Sequence, residues 1–226
     1  MGYKGFLLDL DNTLYEYLPS HTKALDTMID VCYKKCDASI EEIKKAYTIA
    51  RHRVHIELQE TAASHNRLLY IQKMLEILKV NPLKYSFELY NAYWDTFLNE
   101  IKPFDGVSEF LKKNKGKICI ISDLTAHIQY RKIKKLKLED YINYIVTSEE
   151  AGREKPHPYP FMMAMQKLGL KPHDVCMIGD SFKKDIIGAS NLGIRSYWIN
   201  HEQKVTPFDK NLVTNIKFFN EILKYI

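Results

Sequence analysis

Long apolar runs are missing from this 226-residue sequence, and so are internal repeats, low-complexity tracts and flexible linkers. No stretch approaches the roughly 20 apolar residues of a transmembrane helix, so no membrane partner is expected. Cysteine is scarce: Cys32, Cys36, Cys119 and Cys176 are the only four. They form no Cys/His zinc pattern, and a disulfide-stapled miniprotein is excluded at this length. Cys119 and Cys176 lie inside apolar, strand-like runs, where a free thiol behaves as a small hydrophobe, and a reducing interior is the simpler reading. Glycine and proline are modest, at 9 and 8 residues, while 46% of the chain is hydrophobic; collagenous and disordered classes drop out. The first residues enter a strand pattern without signal-peptide features, and Phe6 stands where a myristoylation site wants Ser or Thr, so we expect a cytoplasmic protein. Charge of one sign is not in large excess either. The 33 Lys/Arg against 28 Asp/Glu leave +5, scattered rather than gathered into a stripe, which argues against a nucleic-acid partner and leaves anionic small molecules. Monomer and homodimer both remain open.

What is present is an alternation. Short β-rich runs occur at Gly5–Leu10, Lys117–Ser122, Tyr144–Ser148, Val175–Gly179 and Arg195–Ile199, with a weaker one near Leu212–Thr214. Helical patterns at Ala126–Leu136, Pro158–Leu168 and Lys183–Leu192 separate the later ones. That order predicts an α/β fold, a Rossmann-like doubly wound parallel sheet with helices on both faces. Between the first strand and the second the pattern is almost wholly helical, near His21–Lys35, Ile40–Glu60, Asn66–Leu78 and Pro82–Asn99. Ser39 and Asn81-Pro82 read as helix starts, Lys102-Pro103 as a stop. A crossover needs only a dozen or so residues, so we expect residues 1–14 and 102–226 to form the core and 15–101 an inserted helical subdomain.

Chemistry concentrates where strands end. Phe6-Leu7-Leu8 runs into Asp9-Leu10-Asp11-Asn12-Thr13-Leu14-Tyr15, with the two acids spaced to face one side, and open parallel sheets bind ligands beyond those carboxyl ends. Two acids so close repel, and a cation or a shared proton must relieve them. Beside Mg²⁺ an ionised Asp can attack a phosphoryl group while its neighbour handles the leaving-group proton; taken alone, the pair also reads as a solvated turn. Ile118–Ile121 delivers Ser122 and Asp123, which suit phosphate binding or a helix cap. Glu154-Lys155-Pro156-His157-Pro158 offers one ammonium, or a surface lysine in a proline turn. Cys176-Met177-Ile178-Gly179-Asp180-Ser181 continues to Asp185, adding two acids whose hard oxygens suit Mg²⁺.

In the order Asp-x-Asp, Ser, Lys, Gly-Asp-x-x-x-x-Asp, these pieces resemble the four motifs of the haloacid-dehalogenase-like hydrolase superfamily, and the resemblance covers the whole chain. It implies that Asp9 is the nucleophile and Asp11 the general acid and base. It further implies that Ser122 binds phosphate, that Lys155 steadies nucleophile and phosphoryl group, and that Asp180 ligates Mg²⁺ with Asp9 and the Asp11 carbonyl. Asp185 then acts behind them or through water. Asn12, Tyr15 and Asp123 join the expected substrate-binding set. An acid at position 11 favours phosphoryl transfer over dehalogenation. Asp123 departs from the more usual Asn, a difference that bears on the substrate and not on the chemistry. The insert's position matches a type-I cap, which implies a small phosphorylated substrate. The basic cluster Arg51, His52, Arg53, His55, His65 and Arg67 is expected mainly as a solvated face. The leading expectation is therefore an Mg²⁺-dependent phosphatase working through an aspartyl-phosphate. Its rivals are a mutase-type sugar phosphotransferase and a phospho-accepting receiver-like domain.

Overall fold

The computed structural model describes residues 2–226. In chain order it runs β1 (Gly5–Leu8), α1 (Tyr17–Tyr33), α2 (Ile40–Glu57), α3 (Arg67–Ile77), α4 (Pro82–Glu100), α5 (Val107–Lys113), β2 (Ile118–Ser122), α6 (Ala126–Lys135) and β3 (Tyr144–Thr147). It continues with α7 (Ser148–Ala151), α8 (Pro158–Leu168), β4 (Val175–Gly179), a π-helical turn (Phe182–Ile186), α9 (Ile187–Ser190), β5 (Arg195–Ile199) and β6 (Val213–Ile216), with short 3₁₀ turns between and after them. Two compact units result: the segment ending at Glu16 with Lys102–Ile226, and Tyr17–Ile101. The division falls two residues beyond the expected boundary, because Tyr15 bridges to Asp11 and Pro103 and the Phe104 N–H donates to the Leu14 carbonyl at 2.9 Å.

The first unit is an α/β sandwich around six parallel strands in the order β3-β2-β1-β4-β5-β6. Both faces are covered, which is why its inner strands are buried from end to end rather than alternating. Side chains still alternate between faces. Leu7, Cys119, Ile121, Val146 and Met177 pack with Phe161, Ala164 and Met165 of α8, while Phe6 meets Phe110 of α5, which in turn meets Phe219. The helix expected over Lys183–Leu192 is instead the π turn followed by one turn of α9. The sequence pattern also missed α5.

The second unit is a bundle of four helices in which α1 packs along α4 and α2 along α3. Its starts are set by side chains. Ser39 and Glu42 form a reciprocal capping box, and Asn66 and Asn81 accept from the N–H groups of Leu68 and Leu83 at 2.9 Å. Tyr70, Tyr93, Trp94 and Phe97 are core residues. Among the described residues no helix is long and apolar enough to cross a membrane.

Candidate active site

The strand order reverses direction at β1, which pairs with both β2 and β4. Leu8 is in register with Ile120 and Ile178, so the segments leaving β1, β2 and β4 diverge from one sheet edge, the place where such sheets form crevices. The Asp9 N–H still continues the ladder, donating to the Ile178 carbonyl at 2.9 Å. Thr13 ties two of the segments: its hydroxyl donates to Asp9 Oδ2 at 3.0 Å and accepts from the Asp180 N–H at 3.1 Å. Trp198 Nε1 donates to the Asp180 carbonyl at 2.9 Å and fixes the same turn from β5.

Lys155 lies at the centre. The residue is 3% exposed, and its ammonium donates to Asp9 Oδ1 and Asp185 Oδ1 at 2.6 Å each and to the Ile121 carbonyl at 2.9 Å. The second Asp185 oxygen accepts from the Ser181 N–H at 3.0 Å. Burial alone would lower the Lys155 pKa, but Asp185 and then Asp9 hold it charged, well above the usual range. One ammonium does not neutralise the group. Asp9, Asp180 and Asp185 each offer an oxygen, all within 4.8 Å of one another. Burial pushes the Asp9 carboxyl up, with Lys155 opposing and Asp185 and Asp180 adding to the rise. Burial, then Asp185, pushes Asp180 up to about 7. A buried surplus of hard, negatively charged oxygens fits Mg²⁺ by donor chemistry.

Asp11 points elsewhere. Both its oxygens lie 2.7 Å from Lys132 Nζ, and Oδ1 also accepts from the Tyr15 hydroxyl. Its carboxylate is not among the three clustered acids. Tyr15, expected to bind substrate, is fully buried and its hydroxyl is committed to Asp11. Asp123 is likewise committed: Oδ1 accepts from the Lys155 N–H at 3.1 Å and Oδ2 from Lys184 Nζ at 2.8 Å, and Lys184 also reaches Glu154 at 3.1 Å. The charge that departs from the Asn pattern is paired with Lys184. Asn12 adopts a left-handed conformation, φ 60°, and its carbonyl lies 2.9 Å from His201 Nε2. Ser122 Oγ accepts from Gln129 Nε2 at 2.6 Å, which leaves its own proton to donate.

Lys132, Lys184, Thr13 and Gln129 carried no assigned role in the sequence reading. Lys132 had a signal. Amid the exposed basic residues of α6 it shares a helical stripe with Ile128 and Leu136, at four-residue spacing, and is buried with them.

Residues 6–199 match the family model described as haloacid dehalogenase-like hydrolase. The chain belongs to that family. This haloacid dehalogenase-like hydrolase is 33% identical over 198 residues to ribulose-1,5-bisphosphate 5-phosphatase of Halopiger xanaduensis, covering 84% of this chain and 82% of the relative. It is 28% identical to glyceraldehyde 3-phosphate phosphatase of Methanopyrus kandleri, over 84% and 81% of the two chains. Among solved structures, the HAD-hydrolase YfnB of Bacillus subtilis, bound to magnesium, superposes with a TM-score of 0.71 at 19% identity, covering 99% of this chain and 98% of that one. The last likeness speaks to the fold.

Proposed function

We propose that this hydrolase is an Mg²⁺-dependent phosphatase of small phosphorylated metabolites, acting through an aspartyl-phosphate on Asp9. The observation that carries the reading is the convergence of Asp9, Asp180 and Asp185 within 4.8 Å around one lysine. Similarity to phosphatases of two small phosphorylated sugars supports the substrate class.

Asp9 attacks phosphorus, and the bond to the leaving oxygen breaks. Asp11 gives that oxygen a proton, then removes one from the water that attacks the aspartyl-phosphate, releasing phosphate and restoring Asp9. Lys155 offsets charge on Asp9 and the migrating group, and the Ser122 hydroxyl donates to a phosphoryl oxygen; positioning and charge neutralisation are what phosphoryl transfer asks of a protein. Asp9, Asp180 and the Asp11 carbonyl would hold Mg²⁺, with Asp185 behind them. The ion supplies electrostatic stabilisation of the phosphoryl oxygens.

The test is phosphate release from p-nitrophenyl phosphate. Asp9→Asn is expected to abolish it with the fold intact by circular dichroism, and chelation to silence the wild type until Mg²⁺ is returned. Turnover by folded Asp9→Asn would refute the nucleophile. With sugar phosphates, an isomerised product in place of free phosphate would establish the mutase instead.

A further inference from the structure

α1 ends on a pair of thiols. Cys32, in its last turn, is fully buried, while Cys36, in the turn leading to α2, is partly exposed. Their sulfurs lie 3.7 Å apart, and both residues belong to the helical unit. The other two cysteines, Cys119 and Cys176, are buried in β2 and β4, strands that β1 separates. The Cys32 carbonyl accepts from the Lys35 N–H at 2.9 Å, from the Cys36 N–H at 3.1 Å and from the Cys36 thiol at 3.1 Å. With the Cys36 proton directed there, the hydrogen between the two sulfurs is that of Cys32.

A disulfide brings its sulfurs to about 2.05 Å and its Cβ atoms to about 3.5–4.5 Å. Residues four apart on a continuous helix hold their Cβ atoms about 5–6 Å apart, so the pair would stay a dithiol if α1 ran on. It stops at Tyr33. Cys36 therefore lies past the helical ladder, tied back by its own N–H and thiol to the Cys32 carbonyl, and its sulfur can swing toward Cys32 by adjusting the turn rather than the bundle. The two thiols also differ in access. Burial, and then the neighbouring Cys36, pushes the Cys32 thiol up to about 12, so Cys32 is a poor first attacker and the partly exposed Cys36 is the one a reagent meets.

We propose that Cys32 and Cys36 form a modification site that exchanges with small-molecule disulfides, such as oxidised glutathione, and closes to a reversible intramolecular disulfide. Cys36 gives its proton to solvent, and its thiolate attacks one sulfur of the reagent. The reagent's S–S bond breaks, and one glutathione leaves as a thiolate that takes up a proton. Cys32, already in contact, then loses its proton and attacks the Cys36 sulfur; the mixed bond breaks and the second glutathione leaves in the same way. The protein is oxidised by two electrons and the reagent reduced to two thiols, a sequence that excess reduced glutathione runs backwards. Proximity carries the second step, because the attacking sulfur needs no encounter. Closure also takes the Cys36 thiol proton away from the Cys32 carbonyl, so oxidation removes one of the bonds that finish α1.

Thiol counting on the full chain tests it. The reduced protein is equilibrated with graded ratios of oxidised to reduced glutathione, quenched with acid, unfolded and alkylated with iodoacetamide. The alkylated cysteines should fall from four to two as the ratio rises, with no glutathione retained, and return to four when reduced glutathione is restored. Trypsin cuts after Lys34 and Lys35, so the new bond should appear as two separate peptides, one holding Cys32 and the other Cys36, joined by a disulfide. Cys36→Ser should keep its three thiols free at the ratio that closes the wild-type pair. Cys32→Ala should instead stop at the mixed disulfide, with glutathione held on Cys36. Four free thiols in the wild type at the most oxidising ratio, a glutathione adduct that persists on wild-type Cys36, or a disulfide that includes Cys119 or Cys176 would each overturn the proposal. The wild-type measurement decides it even if a variant fails to fold.

Discussion

Each acid near Asp9 pairs with a lysine, apart from one. Lys155 serves Asp9 and Asp185, Lys132 serves Asp11, and Lys184 serves Asp123 and Glu154. Asp180 has no ion pair among the described residues, which is where a cation is most needed. Lys132 is fully buried, and we expect Lys132→Met to leave Asp11 without its orienting partner. The kcat for p-nitrophenyl phosphate should then fall about 10²-fold, the scale of general acid and base catalysis, with KM little changed; an unaltered kcat in the folded variant would show that Asp11 needs no such support. A second residue-scale prediction concerns His21, whose pKa is lowered to about 4 by burial and then Arg67 and Arg51. Unfolded, it protonates near 6.5, so between these values the unfolded chain holds the extra proton and stability falls as pH drops from about 6.5 toward 4. Urea midpoints at pH 7 and pH 5 should differ less in His21→Gln than in the wild type. Asp9, Ser122 and Asp180 were legible because each ends or directly follows an apolar run, and Lys155 because it stands in the Lys-Pro pair before α8 at its place in a fixed order. The helical stripe shared with Ile128 and Leu136 marks Lys132 as buried but does not name its partner Asp11, and Lys184 lies in no motif that points to Asp123.

At the scale of elements, the end of β4 and the π turn act as one piece. A Cβ on Gly179 would meet Asp185 Oδ2 at 2.4 Å and Cγ at 2.6 Å, and Asp185 cannot swing aside without releasing Lys155 and the Ser181 N–H. Gly179→Ala should therefore cost about 3 kcal/mol in chemical denaturation, the loss expected when a buried ion pair is broken, and lower kcat at least about tenfold. A destabilisation below about 1 kcal/mol would show that Asp185 has room to move. The π turn itself was hidden in the sequence. Phe182 to Leu192 has the apolar spacing of an ordinary helix, and the widened turn at Phe182–Ile186 is closed by Ser181, whose hydroxyl accepts from the Lys184 N–H at 3.3 Å and whose carbonyl accepts from Asp185 and Ile186. By contrast β5 and α8 are found where periodicity and the proline start put them.

For the molecule as a whole, the two crossings between the units are neighbours, since Tyr15 bridges to Pro103 within the α/β unit. A short glycine linker can therefore replace Tyr17–Ile101 without stretching the core. We expect such a variant to unfold cooperatively with an α/β circular dichroism spectrum; failure to fold would show that the core depends on the insert. That two units exist was plain from the interruption of strand spacing, whereas the exact boundary was set by a backbone bridge that side-chain pattern does not reveal. The placement of β1 at the middle of the sheet also has a temporal side. On the ribosome this strand emerges long before either partner, β2 or β4, has been made. The helical insert, whose first and last helices pack together, can close on itself in the interval, so the nascent chain is expected to acquire its bundle first and its catalytic edge only when translation has passed Asp185.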